Sequence, residues 1–282
     1  MKRGDRRGVA LIFVLWLLVL LGVIVAEVVS QARSEAGMLS SLRSRTVARY
    51  SAESGILAAT VRIEALLDSA RSLPDRVTTF RELGTRLATL NDVALGSGRF
   101  GVAVVDLNAR IDLNRADEAT LQGLFRQLTT DRHAEQVVAS LKQAPLNRLG
   151  ELVHILGIDD SLALAVAPYV TVWSDGSVNI NSAPERVLAA LPGISSAMAR
   201  SAVRRRETGE LFMTTTGPFG PPERTPGEVA GVPAPRLSVV PSRLLIVGRG
   251  WQDGHPLTHE IQAVYAVLGT RLVLRAWQER DL

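Results

Sequence analysis

The sequence predicts an α+β fold. A long amino-terminal helix, transmembrane in its first part and amphipathic beyond, lies on an antiparallel sheet that is interrupted by a large all-helical insert with helix-hairpin-helix-like elements. Three observations predict it. No proline occurs between Met1 and Leu73, so nothing forces a break in one continuous rod. Residues 99–106 and the last forty residues alternate apolar and polar positions as strands do. Between them lies a stretch that reads as helices, inside which one helix start recurs 67 residues later.

The rod begins with a basic leader, MKRGDRRG, followed by 18 residues from Val9 to Ala26 with no charged side chain and only the Trp16 indole able to hydrogen-bond. At about 1.5 Å per residue such a helix just crosses a hydrocarbon core of about 30 Å. The run is longer than the apolar core of a secretory signal, about 7–15 residues. Small residues at Ala26, Ala32 and Ala36 still leave cleavage there open. Lys2, Arg3, Arg6 and Arg7 against Asp5 bias the amino terminus to the cytoplasm, which would send residues beyond about 30 across the membrane. Past the membrane, Leu42, Tyr50, Leu57, Val61 and Leu67 recur at near-helical intervals among charged residues. Such a stripe needs a partner surface, and for the outer half of the rod the expected one is the chain's own core.

The remaining chain is long enough for one large domain or two small ones, and 46% hydrophobic content excludes general disorder. With no cysteine there is no disulfide, thiolate metal site or thiol nucleophile. The net charge of +4 is almost all arginine and sits partly in the leader, so by itself it is weak evidence for a nucleic-acid partner.

Residues 99–106, RFGVAVVD, read as a strand ending in a turn. The repeat then aligns DLNRADEATLQGL from Asp112 with NINSAPERVLAAL from Asn179. Asn114 is expected to act as an N-cap, and Ser182 with Glu185 to form a capping box. Pro192-Gly193 marks a tight turn between two helices. From Thr216 to Arg243 seven prolines and four glycines predict an extended loop, after which RLLIVGR, HEIQAVYAVL and RLVLRAW read as an antiparallel meander. The expected division is a leader over 1–8, a transmembrane helix over 9–30 and its continuation over 31–73. The first part of the sheet follows over 74–111, the helical insert over 112–207, a Pro/Gly-rich loop over 208–243 and the closing strands over 244–282.

A basic leader ending in glycine, followed at once by an apolar helix, then an amphipathic helix and a sheet, resembles the type IV pilin and pseudopilin precursors. Over nearly all 282 residues the chain is most similar to the K-type minor pseudopilins of type II secretion (the GspK family), which carry a helical insert and helix starts like those at Asp112 and Asn179. The resemblance implies cleavage by a prepilin peptidase between Gly8 and Val9 and methylation of Val9. Most pilins have glutamate at the fifth mature position; here it is Phe13, and the K-type members also lack that acid. A buried carboxylate is costly in hydrocarbon unless a neighbour pairs with it, and a subunit at the tip has none above it. The implied role is structural: capping the pseudopilus tip with I- and J-type minor pseudopilins and starting its assembly, for export of folded proteins across the outer membrane. The implied location is the inner membrane, crossed once, with the globular part periplasmic. Calcium in the globular part is also implied. Asp159, Asp160 and Asp175 are its candidates by oxygen chemistry, alongside the plainer readings of Asp159 as a helix cap and of Ser174-Asp175-Gly176-Ser177 as a turn.

The rival reading starts from residues 191–207, LPGISSAMARSAVRRRE, which also resemble the helix-hairpin-helix modules of membrane-anchored DNA receptors. Those modules offer a phosphate the backbone amides of a Gly-hydrophobic-Gly turn, but here the second glycine is Ser195, whose Cβ restricts close approach. Arg200, Arg204, Arg205 and Arg206 would supply the counter-charge. An enzyme is not expected. His255 and His259 have zinc-pair spacing but Pro256 between them, and no nucleophile elbow or phosphate loop occurs.

Overall fold

The computed structural model describes residues 6–143, 145–219 and 235–282. The first five leader residues and residues 220–234 of the expected Pro/Gly-rich loop lie outside the described residues. Helix α1 (Arg6–Ser69) is one uninterrupted rod of 64 residues. It stops where Ser72 opens a new helix, α2 (Leu73–Arg81): the Asp75 amide donates to Ser72 Oγ, the Ser72 amide donates to Asp75 Oδ2 at 3.1 Å, and Pro74 sits in the first turn, where its missing N–H costs nothing. Helix α3 (Leu83–Arg86) and a 3₁₀ turn at Ala88–Leu90 follow. Residues 74–90, expected as sheet, are therefore helical, and this capping box is the reason. The sheet begins only at β1 (Val93–Leu95) and β2 (Gly98–Asp106).

The chain leaves the sheet at Asp106 and returns at Arg243, so the insert starts earlier than expected and takes Ile111 with it. Its first half holds β3 (Ile111–Asp112), α4 (Glu118–Phe125), α5 (Asp131–Leu141), α6 (Asp160–Val166) and β4 (Val170–Thr171). The second half holds β5 (Val178–Asn179), α7 (Glu185–Ala189), α8 (Ser196–Glu207) and β6 (Leu237–Ser238). Among the described residues the insert's elements are helices and 3₁₀ turns beside two short parallel pairs, β3 with β4 and β5 with β6, which are too short to leave a period in the sequence. Ile111 faces Val170 and Val178 faces Leu237, so the helix-start repeat belongs to two similar modules, each closed by its own ladder.

The sheet is completed by β7 (Arg243–Gln252), β8 (Thr258–Leu268) and β9 (Arg271–Asp281), antiparallel throughout in the order β1-β2-β7-β8-β9. Two main cores result. Ala52, Ile56, Ala59, Ile63 and Leu67 of α1 bury against Phe100, Val102, Leu244, Ile246, Ile261 and Ala263 of the sheet. The insert has a separate core around Leu121, Leu124, Phe125, Val137, Val166, Ile180 and Leu188. On the opposite face of the sheet, Leu107, Leu245 and Val264 form a small cluster covered by Trp173 of the insert.

The face that α1 buries is rich in small residues, and the sheet meets it with glycine. A Cβ on Gly250 would collide with the carbonyl oxygen of Ala48, and one on Gly248 would lie 2.7 Å from that of Ala52. This close approach decides which side of the rod is hidden. Leu67 is buried, but Tyr50 and Leu57 remain 62% and 65% exposed, with Leu42 and Val61 also exposed. The stripe expected to pack on the chain's own core faces outward instead, because the glycine seam selects the alanine face.

Candidate functional site: a bare helix and a polar root

Two features stand out from the packed body. One is the first half of α1. Gly8 and Val9 lie within the helix, and from Leu11 to Val29 every residue is exposed, Phe13 at 72%. An exposed apolar surface of this length has no stable place in water and is long enough to cross a bilayer. No ionisable side chain interrupts it between Leu11 and Ala26. The apolar face then continues along Met38, Leu39, Leu42, Tyr50, Leu57 and Val61, so one side of the rod is unpartnered almost to its end.

The other feature is the root of the insert, where the chain leaves β2 and re-enters β7. Asn108 is fully buried. Its Nδ2 donates to Asp175 Oδ1 at 2.8 Å and to the Ser177 carbonyl at 2.9 Å, while its Oδ1 accepts from the Ser242 and Arg243 amides, both at 2.9 Å. One side chain thus ties both chain crossings to the Ser174–Ser177 turn. Two residues earlier, Asp106 accepts from the Asn108 amide at 2.7 Å, from Asn179 Nδ2 at 2.8 Å and from the Ser182 hydroxyl. Burial raises the Asp106 carboxyl above its ordinary range, against the pull of these donors.

The repeated polar residues act differently from expectation. The N-cap of α4 is Asp117, which accepts from the Thr120 amide at 2.7 Å, and α7 starts at Pro184 without a side-chain cap. Asn114 instead clasps distant backbone: it donates to the Leu146 carbonyl and accepts from the Leu146 amide, both at 2.8 Å. Asn181 does the same with Phe212, donating at 2.8 Å and accepting at 2.9 Å, and adds the Val239 carbonyl at 2.9 Å. Ser182 is occupied by Asp106 and forms no capping box with Glu185. A carboxamide pairs with a peptide's N–H and C=O as another strand would, and this outweighs a cap.

The three aspartates singled out for calcium have other work. Asp159 caps α6, accepting from the Leu162 amide at 2.7 Å, and Asp160 stands exposed in that helix's first turn. Asp175 accepts from Asn108, from the Ser177 amide at 3.0 Å and from the Ser177 hydroxyl at 2.7 Å. Burial pushes its carboxyl up, but these donors outweigh burial and hold it low. Among the described residues no three His, Asp or Glu side chains gather where they could share an ion.

The basic run of α8 is mostly engaged. Arg200 pairs with Glu185 at 3.3 Å, Arg205 pairs with Glu210 while lying over the Phe212 ring, and Arg206 is turned inward to the Ile180 carbonyl at 2.8 Å. Arg204 alone of the four has no partner among the described residues. Ser195 caps α8, its Oγ accepting from the Met198 amide at 3.2 Å, and Gly193 takes the positive φ of the turn. The hairpin is explained by its own packing.

No family profile and no curated protein matches the chain. A solved structure does. It is one chain of the crystal structure of the GspK-GspI-GspJ complex from the type 2 secretion system of enterotoxigenic Escherichia coli, matched at a TM-score of 0.59 and 14% identity over 89% of this chain and 99% of that one. Long bare helix, glycine-seamed sheet and rooted insert together are a pilin-like α+β fold, the fold of a chain in that secretion complex.

Proposed function

We propose that the protein is a K-type minor pseudopilin of a type II secretion system. It is a structural part and not a catalyst: the precursor is cut between Gly8 and Val9, methylated at Val9, held in the inner membrane by α1 with its amino terminus in the cytoplasm, and assembled with I- and J-type minor pseudopilins. There it caps the pseudopilus and starts its growth. The observation that carries the reading is the rod: an apolar half with nothing on it, continuous with a half that is seamed onto a five-stranded sheet on one side and open on the other. The membrane takes the first half before assembly, and neighbouring helices take the open side after it. A subunit with Phe13 at the fifth mature position brings no carboxylate into hydrocarbon, which suits a place where no amine from a subunit above is present to pair with it. Calcium, if the globular part takes it, would have to recruit oxygens beyond the three aspartates, two of which are already hydrogen-bonded to the chain.

The test is the mature amino terminus. Intact mass and terminal sequencing of membrane-extracted protein, made with and without a prepilin peptidase, should show a peptidase-dependent start at Val9 carrying one methyl group. A start near Glu27 or Arg33, or an unprocessed Met1 in both samples, removes this reading.

A further inference from the structure

A group of charges meets on the helix side of the sheet where α1 passes over β9. His259 on β8 is only 9% exposed and lies between two carboxylates of β9: its Nδ1 is 2.7 Å from Asp281 Oδ1 and its Nε2 is 3.3 Å from Glu279 Oε2. Glu279 in turn accepts from Trp277 Nε1 at 2.6 Å and pairs with Arg49 of α1 at 3.2 Å, and Arg49 also reaches Glu53 at 3.3 Å. The Trp277 bond first, with Arg49 and His259 behind it, holds the Glu279 carboxyl below its ordinary range. From β7, the residue opposite His259 is Gly250, which brings no charge. The next residue on β8, Glu260, pairs with Arg249 and Arg280.

A neutral imidazole has one N–H and one bare nitrogen, so between two carboxylates it can donate to only one and turns a lone pair toward the other. An imidazolium donates to both. The charge count agrees: among the described residues Arg49 is the cation paired with Glu53 and Glu279, and without a charged His259 Asp281 has none. We propose that protonated His259 is a fastener that ties the end of β9 to β8 and, through Glu279 and Arg49, to α1, so that the joint between rod and sheet is tighter when the ring carries its second proton than when it does not. The chain edge is where such a tie acts most, because β9 is the last strand of the sheet and has β8 as its one neighbour. The fastener follows from the fold and does not depend on the assembly proposed above.

The measurement is amide hydrogen exchange of residues 277–282 in the full chain held in detergent micelles, at about pH 5.5 and about pH 8 and corrected for intrinsic rates, since imidazole is the side chain whose ordinary charge change falls in that window. Protection should be about tenfold greater at the lower pH, a ratio worth about 1.4 kcal/mol. His259→Gln, which donates from one group and cannot gain charge, should abolish that difference. Asp281→Asn keeps a polar partner but removes a charge, and should shrink that difference. Equal protection of the wild-type segment at both pH values, or the same pH dependence in His259→Gln, overturns the proposal, as does an undiminished difference in Asp281→Asn.

Discussion

Asn114 and Asn181 show how much one amide can hold when it replaces a strand. Each closes a loop of some thirty residues onto the start of its module, and Asn181 satisfies three backbone groups at once. Asn181→Ala leaves the Phe212 amide and the Phe212 and Val239 carbonyls without that partner, and should cost about 2–3 kcal/mol, visible as a lower urea midpoint for the insert. An unchanged midpoint would mean that water replaces the amide freely. Asp106 and Asp112 belong to the same polar framework, and burial raises both. The folded chain therefore holds their protons more tightly than the unfolded chain. The stability they add is present below the unfolded carboxylate range and is lost as pH rises through the raised folded values. The sequence marked these asparagines through the repeat, but their partners lie some thirty or more residues away and no local pattern points to them. A capping motif and a backbone clasp look alike until the distant chain is in place.

At the scale of elements, the rod and the sheet are specified by complementary absences of side chains. Ala48, Ser51 and Ala52 can press onto β7 and β2 only because Gly98, Gly248 and Gly250 carry nothing. Gly250→Val should push α1 away from the strand and lower the melting temperature of the body by more than any surface change, at a cost of about 3 kcal/mol or more. Ala103→Val, at an exposed strand position, is the control and should be nearly neutral. An equal melting temperature for both variants would refute the seam. The strands β2, β7, β8 and β9 were legible, since their alternation is long. The rod was legible too, but not its buried face: the eye follows Leu42, Tyr50, Leu57 and Val61, whereas packing follows the side on which backbones can approach. The helical turns of residues 73–90 were missed although Ser72 and Asp75 spell a capping box, because the proline between them reads first as a stop.

The described residues form two main cores joined at a polar root, with the small cluster under Trp173 beside it. The insert leaves from Asp106 and returns at Arg243, and Asp106 sits opposite Leu244 in the ladder, so a short turn in place of residues 107–242 would close β2 and β7 as an ordinary hairpin. Such a chain should keep its helix, its five strands and one cooperative transition by circular dichroism, because the core between α1 and the sheet draws no residue from the insert. Loss of that transition would show that the cover supplied by Leu107 and Trp173 is essential to the body.

The same geometry makes the molecule mechanically one-way. Both crossings into the insert emerge side by side from the same end of β2 and β7, so tension on the insert would peel that strand pair open from Asp106 and Leu244 one hydrogen bond after another, at low force. Compression runs the other way, down two neighbouring strands into the glycine seam and along the axis of α1, where nothing is positioned to unzip. A chain built like this can be pushed much harder than it can be pulled.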